Sequence, residues 1–292
     1  MIDNYLLEEL VAFKKYGTLA ATAQHLLVTQ PTVTRGMQKL EDELGVQIFD
    51  RQPNRITLTK TGELAAKKAQ EVIATNLNFV ETIQKYDYNH KKIRVGAVAP
   101  GPLILLHHLK KLNSVNEKID IDDNLLDSHH VSNNLLDHNY SFILTNQEIM
   151  TEKIESFFIG TERLSVNLNQ FTLLANKKSV SFQDLKGLSF IVLSDIGVWK
   201  QVAEGKIPGA KFLYQEQREA FAEITKYSDF PYFTTNISKI DDTGFTDHDQ
   251  INVPIKDDAA KMDFYAAYLK SNKKLITPTL KKMSQAWQEF LN

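Results

Sequence analysis

Between Gly17 and Gly45 the chain reads GTLAATAQHLLVTQPTVTRGMQKLEDELG, and its punctuation leaves room for only two short helices. Thr18 is placed to cap the first, which runs through Leu26. The second begins at Thr29 or Gln30, because Pro31 is tolerated in a first turn, where its missing N–H would have no intrahelical partner. Gly45 stops it. Ala20, Ala21 and Ala23 lack bulk, so another helix can cross closely over them. Val33, Met37, Leu40 and Leu44 recur at helical spacing and predict one buried face.

The opposite face carries Thr32, Arg35, Gly36 and Lys39, with Thr29, Gln30 and Thr34 near its start and no acid before Glu41. A polar, basic helix face with hydrogen-bonding reach at its N-terminal end is what entry into a DNA major groove requires. Gln30 suits base edges, Thr32 and Thr34 a phosphate or a thymine methyl, and Arg35 either. The same face also fits a small helical domain with a solvated charged side. The next segment, VQIFDRQPNRITLT, has two β-prone runs around Gln52, Pro53 and Asn54 and reads as a hairpin. It offers Arg51, Arg55 and the following Lys60 for phosphate or minor-groove contacts, which favours the DNA reading.

From Lys60 to about Tyr88 the chain has no proline, and none of its residues after Gly62 is glycine, so one long helix is expected. Ala65, Val72, Phe79 and Tyr86 form one seven-residue row, and Ala69, Asn76 and Ile83 a second. Such a seam predicts pairing with another copy, the alternative being a helix that lies on its own domain. Beyond NHKK the texture becomes α/β. KIRVGAVAP, KIDIDDN, YSFILTN, RLSVNLN, FTLLAN, LSFIVLSD, KFLYQ, PYFTT, INVPI and MDFYAAYL are successive strand-like units, with helices at Leu103 to Leu112, about Arg218 to Tyr227 and Pro278 to Leu291. This alternation predicts mainly parallel sheets covered on both faces.

With 42% hydrophobic and 24% charged residues, the composition is that of an ordinary globular chain. No segment is long and apolar enough for a membrane span, and MIDNYLLEEL is too acidic for a signal peptide, so a cytoplasmic location is expected. The absence of cysteine excludes disulfides, thiolate metal sites and cysteine nucleophiles. A net charge of -2 means that any DNA binding must rest on local placement of cations. His107-His108, His129-His130, His138 and His248 have poor chelating geometry, since adjacent helical side chains point about 100° apart. DDTGFTDHDQ, residues 241 to 250, is oxygen-rich but lacks calcium-loop spacing and reads as a solvated turn. No catalytic constellation can be named, so neither an enzyme nor a metal or cofactor site is expected.

The N-terminal stretch strongly resembles the winged helix-turn-helix of LysR-type transcriptional regulators. The resemblance rests on the Ala20-Ala21 pair, Leu26, Gln30-Pro31, Thr34, Leu40-Glu41, Leu44-Gly45, Ile48-Phe49, Arg51, Leu58-Thr59 and Gly62. It implies a multi-domain chain: an all-α winged helix-turn-helix DNA-binding domain (1–59), a linker and dimerisation helix (60–90), and an α/β effector domain (91–292). The last is similar to periplasmic binding proteins and would have two Rossmann-like subdomains, 92–163 plus 264–292 and 164–263, with crossings near Thr161 to Leu164 and Met262 to Tyr265. The implied function is sequence-specific transcription regulation. The expected partners are a pseudo-palindromic double-stranded operator, a second copy of the chain, with tetramers a further step, and an unidentified small-molecule effector. The DNA-facing residues would be Thr18, Thr29, Gln30, Pro31, Thr32, Thr34, Arg35, Lys39, Arg51, Arg55 and Lys60.

For the effector, loops at the carboxyl ends of strands are the expected place. They nominate Ala99-Pro100-Gly101, where a helix N-terminus could receive a carboxylate. They further nominate Thr145 and Asn146, Ser194, Asp195 and Trp199, and Thr234 and Asn236, each of which also suits an ordinary loop or capping role. Relatives place serine or threonine in the first of these loops, and this chain has neither, which weakens the case for an anionic inducer. Asp229, Pro231 and the aromatics of YSDFPYFTT predict a reshaped or narrowed pocket. The competing function is a solute-binding or sensory protein whose N-terminal helices serve protein association.

Overall fold

The computed structural model describes residues 1–52, 55–240 and 250–289. It divides into two units, Met1–Gln84 and Lys85–Asn292. Pro53, Asn54, His248, Leu291 and nearly all of the expected solvated turn at 241 to 250 lie outside the described residues.

In the first unit α1 (Asn4–Tyr16), α2 (Leu19–His25) and α3 (Gln30–Leu44) are followed by a hairpin of β1 (Phe49–Gln52) and β2 (Arg55–Leu58). Thr18 caps α2 by accepting the Ala21 N–H at 3.2 Å, and Thr29 caps α3 by accepting that of Thr32 at 3.4 Å. Gly45 ends α3 in the left-handed conformation. The core joins Leu6, Leu10, Phe13, Val33, Met37, Leu40, Ile48 and Phe49. Three expectations change. Leu44 is 37% exposed, because it sits in the last turn, past the reach of the core. In α2 the buried residues are Thr22 and Ala23, while Ala20 is exposed. Gly36, assigned to the outward face, is buried because the carboxyl of Glu9 lies against it.

Helix α4 spans Lys60–Lys91. Its start packs on its own unit, with Ala66 and Ala69 in the same core. Farther along, Val72, Phe79 and Ile83 are 45–66% exposed. Both readings of this helix therefore have a segment to which they apply.

In the second unit β3 (Ile93–Ala97), α5 (Pro100–Lys111), β4 (Ile119–Leu125), α6 (Val131–Leu136) and β5 (Phe142–Thr145) follow in order, and β3 lies between β4 and β5 and is parallel to both. Then comes β6 (Ile154–Asn169), followed by β7 (Ser189–Leu193), α7 (Trp199–Lys206), β8 (Lys211–Gln215), α8 (Arg218–Tyr227), β9 (Tyr232–Thr235), β10 (Gln250–Pro254), β11 (Lys261–Leu269) and α9 (Lys273–Glu289). FTLLAN is not a strand: Leu173–Asn176 form a 3-10 turn. Helix α9 begins before Pro278, which it carries internally.

The main sheet runs β10-β6-β11-β5-β3-β4, with β9 on β6, and β6 and β11 are antiparallel to their neighbours, so it is mixed rather than mainly parallel. The reason is β6, a single 16-residue strand. Its first part pairs with β11 and its second with β9 and β10, so one strand serves two lobes with separate cores. The β6–β11 ladder crosses between them at Thr161↔Asp263 and Glu162↔Met262, and its register breaks at Phe264/Tyr265. Ile237 and Ile240, expected in the second subdomain, pack into the core of the first lobe.

Candidate nucleic-acid interface and inter-lobe cleft

The start of α3 is presented to solvent. Thr29, Gln30, Pro31, Thr32 and Arg35 are exposed and Thr34 is half-buried. The hydroxyls of Thr29 and Thr32 lie 2.8 Å apart, and that of Thr34 donates to Gln30 O at 3.0 Å, which steadies the turn that bears them. Gln30, Pro31, Thr34 and Arg35 line one concavity of about 410 Å³. Thr18, Gln30, Gln52 and Arg55 share a second, of about 700 Å³, between the helices and the hairpin. Among the described residues neither Arg35 nor Arg55 has an ion-pair partner. Lys60 is exposed at the first position of α4.

Two of the nominated cations have other work. Lys39 is ion-paired to Asp3 at 2.8 Å and donates to the Tyr5 hydroxyl, so it ties α3 to the N-terminus. Arg51 pairs with Glu41 at 2.7 Å. The Glu41 carboxylate also accepts the N–H groups of Ile48 (2.8 Å) and Phe49 (2.9 Å) and so fastens the hairpin to α3. Burial pushes the Glu41 carboxyl up, but those N–H groups and the guanidinium outweigh it and hold it below its ordinary range.

In the second unit the Ala99-Pro100-Gly101 segment is not a loop. Pro100 opens α5, and Ala99 and Gly101 are buried. Pro100 and Pro102 have no N–H, so this helix start offers little to an anion. The lobes touch directly at this point. Gly197, at φ 56°, comes so close to Val98 that a Cβ would strike its carbonyl, and the Val198 N–H donates to Val98 O at 3.2 Å.

Two cavities flank this contact and share Pro100, Ile104, Leu193, Asp195 and Arg218. One, about 540 Å³, is polar and opens along His107, His108 and Lys111 of α5. The other, about 120 Å³, lies among Ile191, Trp199, Phe221, Phe233, Thr234 and Thr235. Of the nominated effector residues, Pro100, Asp195, Trp199 and Thr234 are therefore brought together. Ala99, Gly101, Thr145, Asn146, Ser194 and Asn236 lie outside both walls. Thr145 is fully buried, and Asn236 is committed to the backbone of β6, accepting from Arg163 N at 2.8 Å and donating to Thr161 O at 3.3 Å. Phe233 stacks on Phe190 with centroids 4.7 Å apart and Tyr232 is buried beside it, and both Tyr232 and Phe233 line the smaller cavity.

Sequence reasoning passed over Glu162. It is 2% exposed and accepts from Trp199 Nε1 at 2.9 Å and from the Thr235 hydroxyl at 2.7 Å. Burial pushes its carboxyl up, against the pull of these two hydrogen bonds. The signal was available: Glu162, Leu164, Val166 and Leu168 alternate along one face of β6, so a carboxylate stands in an inward row.

Residues 5–63 match the model described as "Bacterial regulatory helix-turn-helix protein, lysR family". The chain is 25% identical over 191 residues to the uncharacterized HTH-type transcriptional regulator YbhD of Escherichia coli, covering 63% of this chain and 60% of that one. It spans less than two thirds of the length of the curated relatives it first matches. In fold it is similar to Vibrio fischeri DarR, solved in complex with DNA, at a TM-score of 0.64 and 14% identity over 96% of this chain and 98% of that one. Full-length OxyR from Pseudomonas aeruginosa gives 0.53 and 18% over 97% and 95%. Among the described residues, no helix is long and apolar enough to cross a membrane.

Proposed function

We propose that this chain, whose residues 5–63 match the model of the LysR family of bacterial regulatory helix-turn-helix proteins, is a cytoplasmic, sequence-specific DNA-binding transcription regulator of that family. The observation that carries the reading is the solvent-facing start of α3, where Gln30 and Arg35, the latter with no ion-pair partner among the described residues, line one concavity and Gln30 shares a second with Arg55. Gln30 and Arg35 read base edges in the major groove, with Thr29, Thr32 and Thr34 on the phosphates beside them. Thr18, Arg55 and Lys60 contact the flanking backbone. The exposed apolar row of α4 pairs two copies on a pseudo-palindromic operator. A small-molecule effector acts in the cleft between the α/β lobes, around Pro100, Asp195, Trp199 and Thr234.

The test is a gel shift on the DNA upstream of the chain's own gene. Arg35→Ala and Gln30→Ala each lower affinity by about 10-fold or more, at about 1–3 kcal/mol per base contact, with the melting temperature unchanged. Unchanged affinity in both variants removes the groove assignment. A chain that binds a small ligand tightly as a monomer and ignores DNA is instead a solute-binding protein.

A further inference from the structure

Glu162 is a carboxylate withdrawn from water at the junction of the two lobes. It stands on β6, the strand that both lobes share. Its two donors come from the second lobe, Trp199 at the start of α7 and Thr235 at the end of β9. On the other side it lies over Gly101 in the first turn of α5, so close that a Cβ there would collide with the carboxyl. Among the described residues no cation pairs with it. Burying an uncompensated carboxylate is costly, and an apolar side chain of similar size would fill the same volume without that cost. Both of its donors also line the 120 Å³ cavity, so the polar groups that a ligand would meet there are already in use. The rest of that wall is apolar apart from Tyr232, Thr234, Ser238 and the oppositely charged Asp195 and Arg218. The Thr234 hydroxyl already accepts from Asn167 and Asn252, and that of Ser238 from Thr235 N.

We infer that Glu162 is a carboxyl ligand supplied by the chain itself at the smaller, 120 Å³ inter-lobe cavity, which therefore excludes carboxylate effectors and takes an uncharged one. This rests on the reading of the cleft as the effector site. A second carboxyl group would find the Trp199 and Thr235 donors occupied. With the side chain shortened, the same two donors become a vacant carboxylate site at the lobe junction.

Chemical rescue tests this on the full chain, by thermal unfolding in sodium acetate against sodium chloride at matched ionic strength and neutral pH, with acetamide as the uncharged control. Glu162→Ala melts below the wild type in chloride, and about 100 mM acetate raises its melting temperature by about 3 °C, while acetamide does not. The wild type shows no acetate-specific rise. Glu162→Ser, which leaves a similar void, repeats the measurement if the alanine variant is recovered poorly. The inference is overturned if the wild type is itself stabilised by acetate, if acetamide does as well as acetate, or if both variants stay unresponsive or unfolded in acetate. The gel shift above separates the two readings. Rescue without DNA binding removes the regulator reading alone, and DNA binding without rescue removes the role of Glu162 alone.

Discussion

The carboxyl of Glu9 occupies the space that a side chain on Gly36 would need. Glu9 projects from α1 into the core under α3, is 4% exposed, and its Oε2 has no hydrogen-bond partner among the described residues. Burial alone pushes this carboxyl up to about 7. The raised value fixes the direction of a pH effect. In the unfolded chain Glu9 loses its proton near the ordinary glutamate value of about 4.3. The stability it contributes in its neutral form is therefore complete below about pH 4 and is lost as pH rises through about 7. Urea unfolding of the wild type is expected to give lower stability at pH 8 than at pH 5, by on the order of 2 kcal/mol. Glu9→Gln removes most of that difference. An equal slope in the variant would assign the pH dependence elsewhere.

The same contact makes position 36 intolerant of bulk. Gly36→Ala is expected to destabilise the chain by about 1–3 kcal/mol through overpacking, although alanine is the better helix former. Glu9→Ala in the same chain clears the space, so the double variant recovers much of the loss. The coupling is read from a double-mutant cycle in urea. Additive losses would show that the two residues do not compete for one volume.

The two hairpin arginines, similar in the sequence, separate in the structure. Arg55 is exposed at the edge of a concavity shared with Gln30, whereas Arg51 is paired with Glu41. For a phosphate contact, Arg55→Ala lowers the slope of log affinity against log salt by about 1. Glu41→Gln acts through the hairpin instead. It weakens the bonds to Ile48, Phe49 and Arg51 and costs about 1–2 kcal/mol of stability, seen in thermal unfolding. If Arg51→Ala changes the salt slope as much as Arg55→Ala does, the division of labour fails.

What was legible in the sequence was set by neighbours in the chain. Thr29, Pro31 and Gly45 bound α3 because capping and termination act within a few residues. The row Val33-Met37-Leu40 is buried because helical spacing alone places it on one face. The roles of Lys39 and Gly36 were misread because each is decided by a partner some thirty residues away, Asp3 in one case and Glu9 in the other. In the α/β region, Thr161 to Leu164 was placed at a crossing, but not within one long strand. The antiparallel partner of that strand is about a hundred residues further on, where no local pattern announces it. The helix expected from Leu103 begins at Pro100 instead, since at the first position proline costs the helix nothing. Six of the ten expected cleft residues fell away, and for Asn236 the reason is related. Its hydrogen bonds are spent on the backbone of β6, and that is settled only when distant strands come together.

Leu27, in the turn between α2 and α3, has φ 55° and is 92% exposed. A leucine there carries the left-handed conformation, at roughly 1–2 kcal/mol, without recovering anything by burial. Asparagine tolerates that conformation better. Leu27→Asn is therefore expected to raise the stability of the first unit by about 0.5–1 kcal/mol, a gain of a few degrees in thermal unfolding. Because the turn sets the angle at which α3 leaves α2, unchanged DNA affinity in the same variant shows that the strain is not needed to present Gln30 and Arg35. A loss of affinity alongside the gain in stability would instead place Leu27 itself at the DNA surface.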